Sequence, residues 1–231
     1  MKQILPALLF LGFISSLHAQ SVAPVIVEYN GNAEGKVALT NDSLSQMVVV
    51  VEPRSFDINA DGRGIFRPLD DSIHLQLSSR SKVLQPKETF YIFYKVKVER
   101  LPAWFTLYAS FSKVQHSNGL DMRIMLPHTV YLYQKVPLSR SDILVRDLTY
   151  NASTKKLTAN VTNNSFGLGR VQMVHATGGR SSLDSAGFPL LPGASRQIEL
   201  DWKEPSPPTN MELRFAHFNL NQPVVTLTSM K

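Results

Sequence analysis

The side chains able to do chemistry are few and scattered. The 231-residue chain has no cysteine, which removes thiol nucleophiles and zinc sites built on thiolates. His74, His116, His128, His175 and His217 stand far apart, and no two share a metal-ligand spacing. No Gly-x-Ser-x-Gly elbow, His-Glu-x-x-His pair or phosphate-cradling Gly loop occurs, and no carboxylate pair stands out as acid and base. Asp57-Ile58-Asn59-Ala60-Asp61-Gly62 comes nearest to a metal motif. Oxygen ligands at alternate positions followed by Gly form the first half of a calcium loop. Pro68 stands where the bidentate Glu belongs, and no flanking helices are predicted. The segment therefore reads as an Asp-Gly hairpin turn. No catalytic residue, metal or cofactor is expected, which leaves binding as the function class to look for.

The segments that carry contacts are β-strands. Short β-type runs alternate with Gly, Pro, Asn and Asp punctuation, and no stretch keeps a 3.6-residue period over three turns. In the first half the pattern predicts strands over 25–29, 37–40, 47–51, 73–77, 89–98, 104–111 and 120–133. In the second half it predicts 143–150, 156–163, 171–176, 188–190, 195–201, 212–218 and 224–229. Turn-separated strands of this kind are the signature of an all-β fold, here two immunoglobulin-like sandwiches in tandem. Pro137 and the polar run Ser139-Arg140-Ser141 place the boundary near 136, giving domains 20–136 and 137–231 with a cleft between them. Val83–Phe90 and Leu190–Gln197 share an apolar, Pro, turn, strand order that suggests duplication.

The N-terminus reads as a leader. Lys2 precedes an apolar stretch from Ile4 to Phe13, and Ala19 offers a cleavage site, with Ala23 as a second candidate. The stretch is too short for a typical membrane span, so residues 1–19 are expected to be a signal peptide and the mature chain not to insert. Lys and Arg number 24 against 18 Asp and Glu and are spread along the chain, which argues for a solvated basic surface and against nucleic-acid binding. Asn-x-Ser/Thr triplets at Asn41, Asn151, Asn160 and Asn163 carry little weight in a chain rich in Asn and Ser.

Two segments are read most closely. Leu120, Met122, Ile124 and Leu126 alternate along a strand about twice the usual length. Such a strand either faces its own core from a sheet edge or lends its edge to another chain. Thr89–Val98 and Trp104–Phe111 are crowded with aromatics, read as a core hairpin or as a face that binds protein or carbohydrate.

The chain resembles the periplasmic pilus-assembly chaperones, the PapD-like family. The resemblance rests on the leader and two sandwich halves, on Val37-Ala38-Leu39-Thr40-Asn41-Asp42, on Leu84-Gln85-Pro86 leading into Phe90–Val98, and on Leu120–Leu126 continuing through Thr129–Lys135. It is strongest over 83–135. It implies a periplasmic, non-enzymatic chaperone whose partners are a pilin-like subunit and an outer-membrane usher. It implies that Leu120, Met122, Ile124 and Leu126 are donated to a subunit lacking its last strand. It also implies a cleft anchor for the subunit's terminal carboxylate. The matching positions are near Val25 and Ile26 and at Tyr131, none of them basic, and Lys135 is the neighbouring cation.

Overall fold

The computed structural model describes residues 20–114 and 123–227. The expected leader and the donor positions Leu120 and Met122 lie outside the described residues. The first half contains β1 (Ser21–Ala23), β2 (Ile26–Asn30), β3 (Ala33–Thr40), β4 (Met47–Ile58), β5 (Gly64–Pro68), β6 (Ile73–Leu77), β7 (Ser81–Leu84), β8 (Thr89–Val98), β9 (Ala103–Lys113) and β10 (Ile124–Tyr133). After a 3-10 turn at Arg140–Asp142 come β11 (Ile143–Asn151), β12 (Lys156–Asn163), β13 (Gly169–Gly178), β14 (Ser181–Leu190), β15 (Ser195–Asp201), β16 (Asn210–Arg214), β17 (Asn219–Pro223) and β18 (Val225–Leu227).

These strands form two sandwiches. The first pairs sheet β1-β3-β8-β6 with sheet β2-β10-β9-β4-β5, with β7 also on β4; the second pairs β15-β12-β11-β18 with β14-β13-β16-β17. The core follows from period-two alternation. Along β8, Ile92, Tyr94 and Val96 are buried while Tyr91, Phe93, Lys95 and Lys97 face outward. Only one face of the aromatic strand therefore enters a core. In the second sandwich Leu157, Ala159 and Val161 of β12 are buried beside Trp202, whose indole N–H donates to Ser206 O at 2.7 Å.

Prolines explain where strand reading stops short. The pattern ends a strand at Val51, yet β4 runs on through Pro53, which stays in register opposite Leu107. Its other neighbours are β7 over 47–50 and β5 over 54–58, so Pro53 falls in the gap between them. Val51 N–H donates to Arg80 O on that side, and Pro53, two residues on, turns its missing donor the same way.

The two sandwiches meet at a small apolar cluster. Phe56 and Tyr131 pack with Leu168 and Leu191, and Ile58, Trp104, Tyr133 and Ala194 surround them.

Candidate functional site

β10 is paired unequally on its two sides. Along its whole length it lies antiparallel to β9, from Ile124 opposite Phe111 to Leu132 opposite Ala103. On the other side β2 runs parallel to it only from Thr129 to Tyr133. Residues 124–128 thus have a strand on one side only among the described residues. Thr129 N–H donates to Val25 O at 2.7 Å, which marks the β2 side. Backbone groups alternate along a strand, so Met125 and Pro127 direct theirs to the same, open side. Pro127 lacks the N–H of a ladder donor and could break the strand. Instead β10 is continuous through it, because the missing N–H lies on the open side and the pairing with β9 is kept.

The two described donor positions, Ile124 and Leu126, share one face of β10. Ile124 and Leu126 are half-buried and pack against the first core, whereas Met125 between them is 46% exposed. His128 closes the open stretch and is fully buried. Its Nδ1 lies 2.5 Å from Pro24 O, which can only accept, so Nδ1 carries the proton. Nε2 then accepts from the Tyr94 hydroxyl at 3.2 Å, and Tyr94 in turn accepts from Tyr29 at 2.9 Å. Burial holds the imidazole below its ordinary pKa, against the opposing pull of the Pro24 carbonyl.

The C-terminal end of β10 leads into a cleft between the sandwiches. The cavity there is about 630 Å³ and is lined by Glu28, Tyr133, Lys135, Arg170, Phe215 and His217, among others. Lys135 is exposed on this wall. Tyr131 does not line the cavity: it is buried in the interface cluster, in register with Glu28 on β2. Burial pushes its phenol up to about 12, with Arg170 pulling down and Glu28 pushing up. Tyr133 is also raised, first by burial and then by Glu28, whose Oε1 accepts from its hydroxyl at 3.1 Å.

The guanidinium of Arg170 sits 3.5 Å from Glu28 Oε1 and is about three-quarters buried. Strand β2 therefore brings an acid to the cleft, and the second sandwich brings the cation. Sequence reading missed Arg170 because it belongs to β13, remote in sequence from the segment searched. Gln134 ties the walls together, donating to Leu168 O at 3.1 Å and accepting from Leu168 N–H at 3.0 Å.

Trp104 is likewise tied in place rather than presented to solvent, its indole N–H donating to Phe56 O at 2.6 Å. Within residues 89–111 the exposed aromatics are Tyr91 and Phe93, 46% and 58% accessible on the outer face of β8, with Lys36 5.0 Å above the Tyr91 ring. In the Asp57–Gly62 segment, β4 and β5 are joined by the hairpin that the Asp-Gly pair suggests. Its oxygens are engaged within the protein: Asp57 with Arg67 at 2.8 Å, and Asn59 and Asp61 with Arg63 N–H at 2.7 and 3.0 Å.

No protein-family model matches the sequence, and no curated protein matches it. Solved structures do match by shape. The class 5 fimbriae chaperone CfaA superposes with a TM-score of 0.54 at 12% identity, over 90% of this chain and 100% of that one. A chain from the SafA pilin–SafB chaperone complex of Salmonella enterica gives 0.56 at 10% identity, over 90% and 98%. A chain from the CsuC–CsuE chaperone–tip subunit pre-assembly complex of Acinetobacter baumannii gives 0.51 at 14% identity, over 91% and 100%. Sandwich order, strand pairing and these superpositions agree: the chain has the two-sandwich fold of the fimbrial chaperones.

Proposed function

We propose that this protein is a periplasmic chaperone for pilus-type subunits. It would hold a subunit by strand addition at β10 and pass it toward an outer-membrane usher, without catalysis. The observation that carries this reading is the one-sided pairing of residues 124–128, which have no paired strand on the β2 side among the described residues. Residues 20–136 and 137–231 would act as its two domains, and the leader 1–19 would direct export. Ile124 and Leu126, with Leu120 and Met122, are the donated positions; their contacts with the chaperone's own core would be shared with the subunit.

The cleft serves as the anchor for the subunit's terminal carboxylate. Lys135 and Arg170 supply the cations, and Tyr131 supports the wall from behind. Arg170 is held in reserve by Glu28 and would exchange one carboxylate for another.

Co-expression with a pilin-type subunit that lacks its last strand tests the reading. A stable complex that survives purification, and is lost when Met125→Pro removes an open-side donor, is the expected result. Equal recovery of the complex with parent and variant would refute strand addition.

A second reading rests on Tyr91 and Phe93. Their exposure beside Lys36 on a flat sheet face suits an adhesive module that stacks on protein or carbohydrate. Glycan binding lost in Tyr91→Ala and kept in Met125→Pro would favour it.

A further inference from the structure

The hairpin that joins β4 to β5 reaches across to the second sandwich. We propose that it is a clasp that fixes the angle between the sandwiches and so sets the width of the cleft. What the cleft holds rests on the chaperone reading above; the mechanical role of the clasp does not.

Three contacts build it. Gln197 N–H of β15 donates to Ala60 O at the hairpin tip, at 2.8 Å. β15 is the outermost strand of its sheet, so this bond uses an edge donor that would otherwise face water. Gly62 then lies directly on the neighbouring Arg196. Its φ is +90°, and a Cβ there would fall 1.4 Å from Arg196 Nη1 and 1.8 Å from its Cζ. The positive φ favours glycine, and any side chain there would have to displace the guanidinium. On its other side the guanidinium covers the ring of Phe188, with Cζ 5.6 Å from the centroid. Arg196 is thus pressed between an aromatic ring of its own sandwich and a glycine of the other.

The tip is stiff enough to transmit this contact. Gly62 N–H donates to Asn59 O at 2.9 Å and Asn59 N–H to Arg63 O at 3.1 Å, while the Asn59 and Asp61 side chains both accept from Arg63 N–H. The sandwiches are also joined at the Phe56–Tyr131–Leu168–Leu191 cluster. Glu28–Arg170 and Gln134–Leu168 join them again at the cleft. Small polar interfaces of this kind leave relative rotation as the default, and a further attachment at the hairpin tip restricts it.

Because the chain has no cysteine, Gln76→Cys on β6 and Asn221→Cys on β17, both exposed, can be spin-labelled alone. Their separation is measured by double electron–electron resonance on the free protein with no subunit present. The parent should give one narrow peak. Arg196→Ala, which removes the seat, and Gly62→Val, which blocks it, should each broaden or shift that peak while far-UV circular dichroism stays unchanged. A broad parent distribution overturns the proposal, as does a narrow peak unmoved by Arg196→Ala. Should Gly62→Val fail to fold, Arg196→Ala alone decides. Loss of subunit binding has no bearing on this readout.

Discussion

Asn41 and Asn163 occupy the same place in the two sandwiches. Each is fully buried at the end of a strand. Asn41 Nδ2 donates to the carbonyls of Ser45, Leu84 and Gln85, and Asn163 Nδ2 to those of Gly167, Leu190 and Leu191. Asn41 Oδ1 accepts from the N–H and hydroxyl of Ser43, and Asn163 Oδ1 from those of Ser165. Even the turns they pin agree: Lys87 and Gly193, each following a proline, both take positive φ, 65° and 68°. Replacing either Asn by Ala strands buried carbonyls and should cost about 2–4 kcal/mol, read as a lowered urea midpoint. Near-equal losses at the two sites are expected; a loss below about 0.5 kcal/mol at either would show that its turn is held by something else.

The open edge makes a prediction about Met125. It is exposed and directs its backbone away from β9, so Met125→Pro should leave the free protein's thermal midpoint close to the parent's. Subunit capture should fall sharply. Ile124→Asp should also abolish capture, but it places a charge against the first core and should lower stability as well. Comparing the two variants by thermal unfolding and by co-purification separates loss of the edge from loss of the fold.

The cleft cation can be tested alone. Arg170 bonds to Glu28 across 3.5 Å in a partly open site, so Arg170→Ala should change stability by no more than about 1 kcal/mol. It should weaken subunit binding in titration calorimetry, and the penalty should vanish when the subunit's terminal carboxylate is amidated. An equal penalty with the amidated subunit would place the anchor elsewhere.

His128 makes stability depend on pH. Its folded pKa lies below the unfolded value of 6.5, so as pH falls the unfolded chain takes up a proton first. The stability this contributes is complete above the unfolded pKa and is lost as pH falls from there toward the folded value. Urea midpoints at about pH 7.5 and 5.5 should differ more for the parent than for His128→Gln, which lacks the titrating group. Parallel behaviour of the two proteins would contradict this account.

Much of the architecture is legible from alternation and turn residues. Lys156–Asn163 and Ser195–Asp201 are strands with the predicted bounds, as are Ile73–Leu77 and Thr89–Val98. Failures come where local signals mislead or are weak. The expected strand ends at Val51, although β4 continues through Pro53, which falls in a gap between partner strands. Gly64–Pro68, Ser81–Leu84 and Asn219–Pro223 are short strands whose pairing, rather than their composition, makes them strands. The site divides in the same way. The alternation of β10 is visible in the sequence, but its unequal pairing depends on where β2 leaves it. Arg170 at the cleft and Arg196 under Gly62 are brought in by folding from distant segments, and nothing near them in sequence marks them.

On the chaperone reading, Pro127 would set how firmly β10 holds a subunit. A guest strand laid along residues 124–128 finds the Pro127 carbonyl but no N–H beside it, a ladder with a rung missing at its middle. Two copies of this protein meeting edge to edge would each bring that gap, so the edge is a poor template for itself. On that reading, a guest held across the gap would begin to peel away there, as a hold that ends in hand-over rather than in permanent assembly requires.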